Sequence, residues 1–497
     1  MLKAIKLPDF SERSSLSFWL CLTFLFLVVL ALHGKPVPFN NEYLYLLRLE
    51  PNFLPNDWSF SQSASEHWLF NFLFSLPARV FSIETIGWAG RITFWILCLT
   101  ALLKLGKRWE ISSWATSFSV AVWLAFGQTV VNGEWIFGSF EAKSVAYACL
   151  LFALVDFSRQ KIILPSILLG LSFSFHPAVG LWAIPAVGVA LLVERVAIGD
   201  LIKVVVLTFL ACLPGILPLM GDQLGADAAS YDDWQFIVTK HMPFHFDAFY
   251  FPKMAFVVLG LMLIFNVFAL WKNKSFALRF LLNFQIAIAA FFLLGVVLRW
   301  FDMFPLLRFM PMRLFPILTP LFFLFSAFYY LRQLDSRMQQ TVVALFVVAV
   351  ISLLHPFDKG LGQMRETVDS WRAKPDDMDI SLRWISKNTP IDAVIVASPN
   401  NRKLWYLSDR AQIVSYIYPR YDRLGEWRKR IADETGNAQI SSRESAPLEI
   451  ESAFEQLSVA QIAEIKQNYA ASYLLTRAVY PFPVIFETAT YRIYQLP

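Results

Sequence analysis

Two carboxylates, Glu42 and Asp57, lie in a polar, proline-containing stretch at residues 33–66 that apolar segments flank on both sides. The stretch itself is too polar to cross a bilayer. A carboxylate held against apolar surface has a raised pKa, which suits it to general-base catalysis. We therefore predict that Glu42 and Asp57 are the catalytic candidates. The alternative role for Asp57 is that of N-cap to a helix beginning near Trp58.

A second set of polar side chains recurs where later apolar segments begin or end. These residues are predicted to contact substrate: Glu141, Lys143, His176, Arg299, Arg308 and Arg313. Lysine and arginine bind phosphate through charge-assisted hydrogen bonds, and Glu141 is placed to orient a substrate hydroxyl group or a metal ion. The alternatives are interfacial anchoring for Glu141 and Lys143, a structural role for His176, and contacts with anionic lipid for the arginines.

Metal-ligand and cofactor motifs are sparse. Asp232 and Asp233 carry side chains suited to a divalent cation, although their spacing is common in proteins without a metal. The sequence contains no Walker loop, no GxGxxG, no GxSxG and no CxxC motif. His241 and His245 are further candidate ligands for such a cation. The cofactor prediction is therefore limited to a divalent cation in this segment.

The composition is that of an integral membrane protein. Hydrophobic residues make up 57% of the chain, charged residues only 16%, and the mean hydropathy is +0.50. Soluble domains contain about a quarter charged residues. Basic side chains are dispersed along the chain and form no stripe, which argues against nucleic acid as a partner.

Apolar runs recur along the chain, and we predict about eleven membrane spans. The predicted spans are residues 16–32, 88–105, 114–130, 142–157, 162–175, 179–193, 201–220, 254–271, 277–298, 314–331 and 341–354. With this assignment the loops on one side all carry lysine or arginine, so the positive-inside rule places them and the basic N-terminus (Lys3, Lys6, Arg13) in the cytoplasm. The short segment at 67–83 is predicted to lie in the outer interface, with a further span as the alternative.

The hydropathy pattern divides the chain into two domains. Residues 1–356 form a multi-span transmembrane domain with an outer first loop at residues 33–87. Residues 357–497 form a soluble α/β domain with strands near 393–397, 411–415, 471–476, 483–486 and 491–494. The span count places this second domain on the extracytoplasmic side.

This layout resembles the GT-C superfamily of polyprenyl-phosphate-sugar-dependent glycosyltransferases, and most nearly bacterial multi-pass GT-C-like membrane proteins of uncharacterised activity. One span, an outer loop with an acidic residue, an interfacial helix, further spans and an extracytoplasmic α/β domain follow in the same order. The short motifs that carry the resemblance lie at residues 41–45, 51–57, His67, 384–390, 408–410 and 491–494.

The resemblance implies an integral enzyme of the bacterial inner membrane that moves a sugar from a polyprenyl-phosphate donor to an acceptor on the outer side. In that superfamily an acidic residue of the first outer loop is the base, and the role carries over to Glu42 or Asp57. Many members have Asp-Glu where this chain has Asn41-Glu42, so the choice of base and the activity itself stay open.

Two other functions remain as alternatives: a transporter or flippase of a lipid-linked or anionic substrate, and a non-catalytic membrane scaffold. Charged residues are scarce within the predicted spans, which argues against a transporter with an ion relay.

Overall fold

The computed structural model describes residues 15–50, 53–54, 56–60, 67–131, 133–223 and 229–497 of the 497-residue chain. The basic residues of the N-terminus and Pro51 and Pro55 of the first loop lie outside this description. Helices dominate the chain as far as residue 372, and a small sheet with its own helices follows. The two-domain division predicted at residue 356 falls at the first residue of a helix.

The helices of the first part are, in chain order, α1 Ser15–His33, α2 Glu42–Tyr45, α3 Trp68–Ala78, α4 Ile83–Arg108, α5 Ser113–Ala125, α6 Ala142–Phe157, α7 Ile163–Phe175, α8 Pro177–Val193, α9 Ile198–Gln223, α10 Tyr231–Phe236, α11 Pro243–Phe246, α12 Lys253–Leu270, α13 Phe276–Trp300, α14 Phe304–Leu307, α15 Phe315–Arg332, α16 Arg337–Ser352 and α17 Pro356–Arg372. A 3₁₀ turn at Leu47–Leu49 follows α2, and a π-helical turn at Ile237–His241 joins α10 to α11.

Each of the eleven predicted spans coincides with a helix, so the multi-span helical character is confirmed. The number eleven is not. Within the described residues, six helices are long and apolar enough to cross a membrane: α1, α4, α9, α12, α13 and α15. The pair α16 and α17, bent by 46°, makes a seventh if the two count as one span. The other apolar helices are shorter; α7, with 13 residues, rises only about 20 Å against a hydrocarbon core of about 30 Å.

Helix α3, in the segment predicted to lie in the interface, is also too short to span. Its 11 residues rise about 17 Å. Phe70 is fully buried and packs against Phe74 and Phe140, while Phe72 and Leu76 on the opposite side are exposed. The helix therefore attaches to the bundle by one face and leaves an apolar face outside.

The second part begins with α18 Asp377–Asn388 and contains a five-stranded sheet of β1 Val394–Val396, β2 Ala411–Gln412, β3 Tyr473–Thr476, β4 Val484–Glu487 and β5 Arg492–Gln495. The strand order is β2-β1-β3-β5-β4, with β1 parallel to β2 and β3 and the last two pairings antiparallel. The intervening helices are α19 Leu404–Ser408, α20 Leu424–Glu434, α21 Ala446–Phe454 and α22 Val459–Tyr469. All five strands coincide with predicted ones.

Asp57 fastens the first loop to the α/β domain. Its carboxylate accepts hydrogen bonds from Trp405 Nε1 at 2.7 Å, from the backbone N–H of Gln412 at 2.9 Å and from that of Ser59 at 2.7 Å. Residues 58–60 form a turn, so the predicted role as a helix N-cap is wrong in the described part of the chain. Burial raises the pKa of Asp57 to about 6.

Glu42 joins the first loop to two other parts of the bundle. Its carboxylate accepts hydrogen bonds from Arg91 Nε at 2.7 Å and from the backbone N–H of Phe39 at 2.8 Å. It also pairs with Arg91 Nη2 and accepts from the backbone N–H of Phe140. Both ionised side chains are buried, with exposed fractions of 0% for Glu42 and 1% for Arg91. The ion pair thus connects the loop, α4 and the segment before α6.

We expect Arg91→Met to lower the free energy of unfolding by about 3–5 kcal/mol, because it leaves the Glu42 carboxylate buried without its counter-ion. Denaturant titration of the detergent-solubilised protein measures the loss. The double variant Glu42→Gln/Arg91→Met carries no buried charge, so we expect it to be more stable than the single variant. Equal instability of the two variants would contradict this account of the pair.

We expect Asp57→Asn to lower stability by about 1–3 kcal/mol, because the amide cannot accept hydrogen bonds from all three donors. The exposed Asp392→Asn change is the matched control and leaves the melting temperature unchanged. Thermal melting combined with an activity assay separates two roles for Asp57. A positioning role predicts a lower melting temperature with near-normal activity of the folded fraction, whereas a base predicts lost activity at an unchanged melting temperature.

Candidate active site

A cavity of about 430 Å³ lies between the helical bundle and the α/β domain. Its polar lining comprises Asn41, Tyr45, His67, Glu141, Lys143, His176, His245, Arg308, Arg313 and Tyr421. Its apolar lining includes Leu181, Leu219, Trp234, Met242, Phe246 and Phe309. A concave site with a large apolar wall and a few convergent charges is the usual form of a ligand site.

Glu141 supplies the carboxylate of this cavity. It is the residue immediately before α6, and its side chain is buried. Oε2 accepts a hydrogen bond from Asn41 Nδ2 at 3.3 Å, while Oε1 has no hydrogen-bond partner among the described residues. Burial raises the pKa of Glu141 to about 7, against the lowering influence of Lys143 and Asn41. A carboxyl group with this pKa exchanges a proton readily at neutral pH.

Three cationic side chains line the same cavity in different states of pairing. Lys143 Nζ lies 3.6 Å from Glu141 Oε2 and 3.5 Å from the centre of the Trp135 ring. Arg313 forms an ion pair with Glu134 at 2.6 Å. Arg308 is exposed and pairs with no acidic side chain in the part of the chain that the structure describes. Arg308 is therefore the cation with the most freedom to meet an anionic ligand.

The pairing with Arg313 keeps Glu134 ionised. Burial alone raises the pKa of Glu134, but the charges of Arg313 and Lys143 outweigh burial and hold the pKa below its ordinary value. Tyr147 also donates a hydrogen bond to Glu134 at 3.2 Å. The carboxylate is thus committed to its partners and is a poor proton acceptor.

A chain of stacked and hydrogen-bonded polar side chains forms another side of the cavity. His67 and His176 stack with ring centres 5.1 Å apart, and Tyr45 Oη lies 2.7 Å from His67 Nε2. Burial and the nearby Arg313 guanidinium lower the pKa of His176 well below its usual range. Burial likewise lowers the pKa of His245 to about 3. Both rings are therefore neutral near pH 7 and offer hydrogen bonds without a charge.

Five of the six side chains predicted to contact substrate meet in this cavity: Glu141, Lys143, His176, Arg308 and Arg313. Arg299 does not. Its guanidinium pairs with Asp247 at 2.8 Å and with Asp302, and it covers the Phe249 ring at 4.5 Å. Arg299 thus fixes local structure at the end of α13.

Neither predicted catalytic carboxylate lines the cavity. Asn41 does, whereas Glu42 turns toward Arg91 on the other side of the chain. Asp57 faces Trp405 and β2. The amide of Asn41 donates a hydrogen bond to the carboxylate of Glu141, the last residue of the loop at 126–141 between α5 and α6. The acidic group in the cavity therefore comes from this second loop and not from the first.

The predicted cation site at Asp232 and Asp233 does not fit a metal. Asp233 caps α10 through Ser230 and pairs with Arg428 at 2.8 Å, while Asp232 is exposed. No group of three or more histidine, cysteine, aspartate or glutamate side chains close enough to hold a metal occurs among the described residues. At Glu141, the Lys143 ammonium lies 3.6 Å away, where its positive charge opposes a second cation.

Sequence reasoning missed several lining residues. Asn41, Tyr45 and His67 entered only as parts of short motifs, His245 entered only as a candidate cation ligand, and Tyr421 was not singled out. One available signal was the scarcity of histidine: the chain has six, and three of them line this cavity. Tyr421 comes from the α/β domain and gave no such signal, because only tertiary packing brings it here.

The solved structures that share this fold include two of an archaeal oligosaccharyltransferase. The archaeal oligosaccharyltransferase AglB from Archaeoglobus fulgidus, in complex with an inhibitory peptide and a dolichol-phosphate, matches with a TM-score of 0.53 and 12% identity over 93% of this chain and 69% of that one. The Archaeoglobus fulgidus oligosaccharyltransferase in complex with Zn and sulfate matches with a TM-score of 0.52 and 12% identity over 92% and 68%. No protein-family model and no curated protein sequence matches. AglB is a member of the GT-C superfamily, so the likeness to that superfamily is confirmed at the level of the fold.

Proposed function

We propose that the protein is a membrane glycosyltransferase that moves a sugar from a polyprenyl-phosphate donor to an acceptor on the outer side of the cytoplasmic membrane. The observation that carries the proposal is the composition of one cavity. There, the uncommitted Oε1 of Glu141, whose carboxyl pKa is about 7, shares a space with cationic side chains and an apolar wall. These are the groups that sugar transfer from a lipid phosphate requires.

The donor chemistry follows from the two halves of the lining. Trp234, Phe309 and Leu219 offer apolar surface to a lipid chain, and Arg308 and Lys143 offer positive charge to a phosphate. Charge-assisted hydrogen bonds to phosphate are about twice as strong as neutral ones. The dolichol-phosphate bound to AglB, which has the same fold, supports a polyprenyl-phosphate ligand.

Glu141 is the base in this proposal. Its carboxylate takes the proton of the acceptor hydroxyl group as the hydroxyl oxygen forms a bond to the anomeric carbon of the sugar. The bond between that carbon and the phosphate oxygen breaks, and its electron pair leaves with the phosphate. Arg308 and Lys143 stabilise the charge that develops there. Because the side chains around Glu141 do not fit a resident metal ion, no step is assigned to a metal.

The placement of the site on the outer side rests on the distribution of basic loops. For every basic loop to face the cytoplasm, the shorter apolar helices α5, α6, α7 and α8 must also cross the membrane, packed between longer neighbours. The cavity and the α/β domain then face outward. This topology belongs to the proposal together with the donor.

We expect Glu141→Gln to lower the rate of sugar transfer about 10²- to 10⁴-fold, the usual contribution of a general base. Transfer from a synthetic polyprenyl-phosphate hexose in proteoliposomes measures the rate. In the unaltered protein, kcat/KM should rise with pH through about 7, because only ionised Glu141 accepts a proton. The variant should lose this dependence.

Glu84→Gln is the matched control for that experiment, since Glu84 lies outside the cavity and accepts a hydrogen bond from Tyr406. A Glu141→Gln protein that kept both its rate and its pH profile would exclude Glu141 as the base. Glycan and glycolipid profiles of cells lacking the gene test the proposal as a whole, and unchanged profiles would count against a transferase.

We expect Arg308→Gln to lower kcat/KM for the lipid-phosphate donor about 10- to 100-fold. A hydrogen bond to a charged group contributes about 1.5–3 kcal/mol, and each 1.4 kcal/mol corresponds to a factor of ten. Arg337→Gln makes the same change of charge at an exposed position at the start of α16 and should have no effect. Equal effects of the two substitutions would show that only overall charge matters.

A further inference from the structure

A second cavity, of about 470 Å³, adjoins the first but is lined by different residues. Its walls are the ends of α1 and α5, the segment 133–139 and one face of α17. Three of its charged groups are already paired: Lys35 and Glu366 with each other at 2.8 Å, and Glu134 with Arg313. The proposed chemistry of Glu141 uses none of these walls directly, so this cavity has no assigned role.

Unpaired polar atoms gather around the second cavity. The hydroxyl groups of Thr129 and Ser139 and the side-chain carbonyl of Gln363 are buried and have no hydrogen-bond partner within the described residues. All three residues line the cavity, and Thr129 and Ser139 are only 8% and 3% exposed. An unpaired buried polar group destabilises the folded protein, so these atoms favour a ligand that supplies hydroxyl groups. Lys359, exposed at the edge of the same cavity, adds a positive charge.

Helix α17 has two opposite faces. The lysine, glutamine and glutamate at 359, 363 and 366, spaced four and three residues apart, line the cavity. An exposed apolar stripe with the same spacing runs along the other side: Phe357 83%, Leu361 66%, Met364 43%, Val368 46% and Trp371 58%. An amphipathic helix of this kind lies in the surface of a membrane.

The contacts of α17 place it at the level where the spans end. Thr367 Oγ1 donates a hydrogen bond to the backbone oxygen of Leu32 at 3.0 Å, and Trp371 Nε1 donates to that of Gly34 at 2.7 Å. Leu32 is among the last residues of α1, a candidate span. The apolar stripe also continues the exposed apolar surface of α16, on which Leu345 and Val348 are more than 60% exposed. The surface that covers the stripe is therefore the lipid that surrounds the spans.

We infer that α17 lies in the bilayer surface and that the second cavity receives the head group of a polyol phospholipid. The head-group hydroxyls meet Thr129, Ser139 and Gln363, and the phosphate meets Lys359 at the rim.

Residues that are neighbours in the chain line the two cavities. Asn40 lines the second cavity and Asn41 the first, and Ser139 and Glu141 divide in the same way. A head group beside Ser139 therefore lies next to the segment that carries the proposed base.

Alkylation of Ser139→Cys by a water-soluble methanethiosulfonate reagent tests the occupant of the cavity. The full chain is reconstituted in phosphatidylcholine nanodiscs that contain either phosphatidylglycerol or phosphatidylethanol, which carry the same charge and differ in head-group hydroxyls. We expect phosphatidylglycerol to slow alkylation several-fold and phosphatidylethanol to leave it unchanged. Ala460→Cys, exposed on α22, should react equally in both, and the parent protein gives the background of the native cysteines.

Equal protection by the two lipids would overturn the inference, because it would show attraction of anions alone, and so would absence of protection. Protection by water-soluble glycerophosphoglycerol as strong as by the lipid would show a soluble ligand and likewise overturn it. Thr129→Val removes one hydroxyl at constant size and should reduce the preference of the protein for phosphatidylglycerol in native mass spectrometry. An unchanged preference would contradict the assignment.

Fluorescence quenching tests the position of α17 separately. A fluorophore on Leu361→Cys should be quenched by brominated phosphatidylcholine, whereas one on Asp369→Cys, on the charged flank of the same helix, should respond mainly to aqueous iodide. Equal quenching by aqueous iodide at both positions would show that α17 does not lie in the membrane surface. None of these measurements involves sugar transfer, so this inference and the proposed enzyme activity fail or stand separately.

Discussion

The buried ion pair of Glu42 and Arg91 is the interaction on which the architecture of the site depends. The Glu42 carboxylate also accepts hydrogen bonds from the backbone N–H groups of Phe39 and Phe140. This one side chain therefore holds the first loop, α4 and the second loop together. Removing a carboxylate from water costs free energy unless each of its oxygens accepts a hydrogen bond or pairs with a cation. The positions of the three segments that supply these partners to Glu42 can therefore vary little. The neighbouring Asn41 is thereby brought to Glu141.

The buried carboxylates Glu134, Asp57 and Glu141 differ in how many of their oxygens accept hydrogen bonds or pair with a cation. Glu134 meets Arg313 and Tyr147, and Asp57 meets three N–H donors, so the hydrogen-bonding capacity of each is committed. Glu141 Oε2 accepts a hydrogen bond from Asn41 at 3.3 Å and lies 3.6 Å from Lys143, whereas Oε1 has no hydrogen-bond partner in the part of the chain that the structure describes. This difference is the reason for assigning the proposed base to Glu141 and not to the acidic residues of the first loop.

Much of the architecture was predictable from local pattern. Each of the eleven apolar segments is helical, and strands such as Val394–Val396 and Tyr473–Thr476 lie inside the predicted runs. Hydropathy and β-branched composition act over a few residues, so a sequence displays them directly. Which helices cross the membrane depends also on length and on packing against neighbours, and for that reason the predicted number of spans exceeded the six or seven helices that qualify in the described chain.

The chemical types of the site residues were also visible in the sequence, because Glu141, Lys143 and Arg308 stand at the ends of apolar segments. Their grouping was not visible. The tertiary structure decided that Glu42 turns away to Arg91 and that Tyr421, from the other domain, completes the cavity. The physical reason is that the partner of a buried charge is chosen by packing across a large sequence separation, 49 residues for Glu42 and 179 for Arg313. Composition fixes how many such charges need partners, and only the folded chain decides how completely each of them is paired.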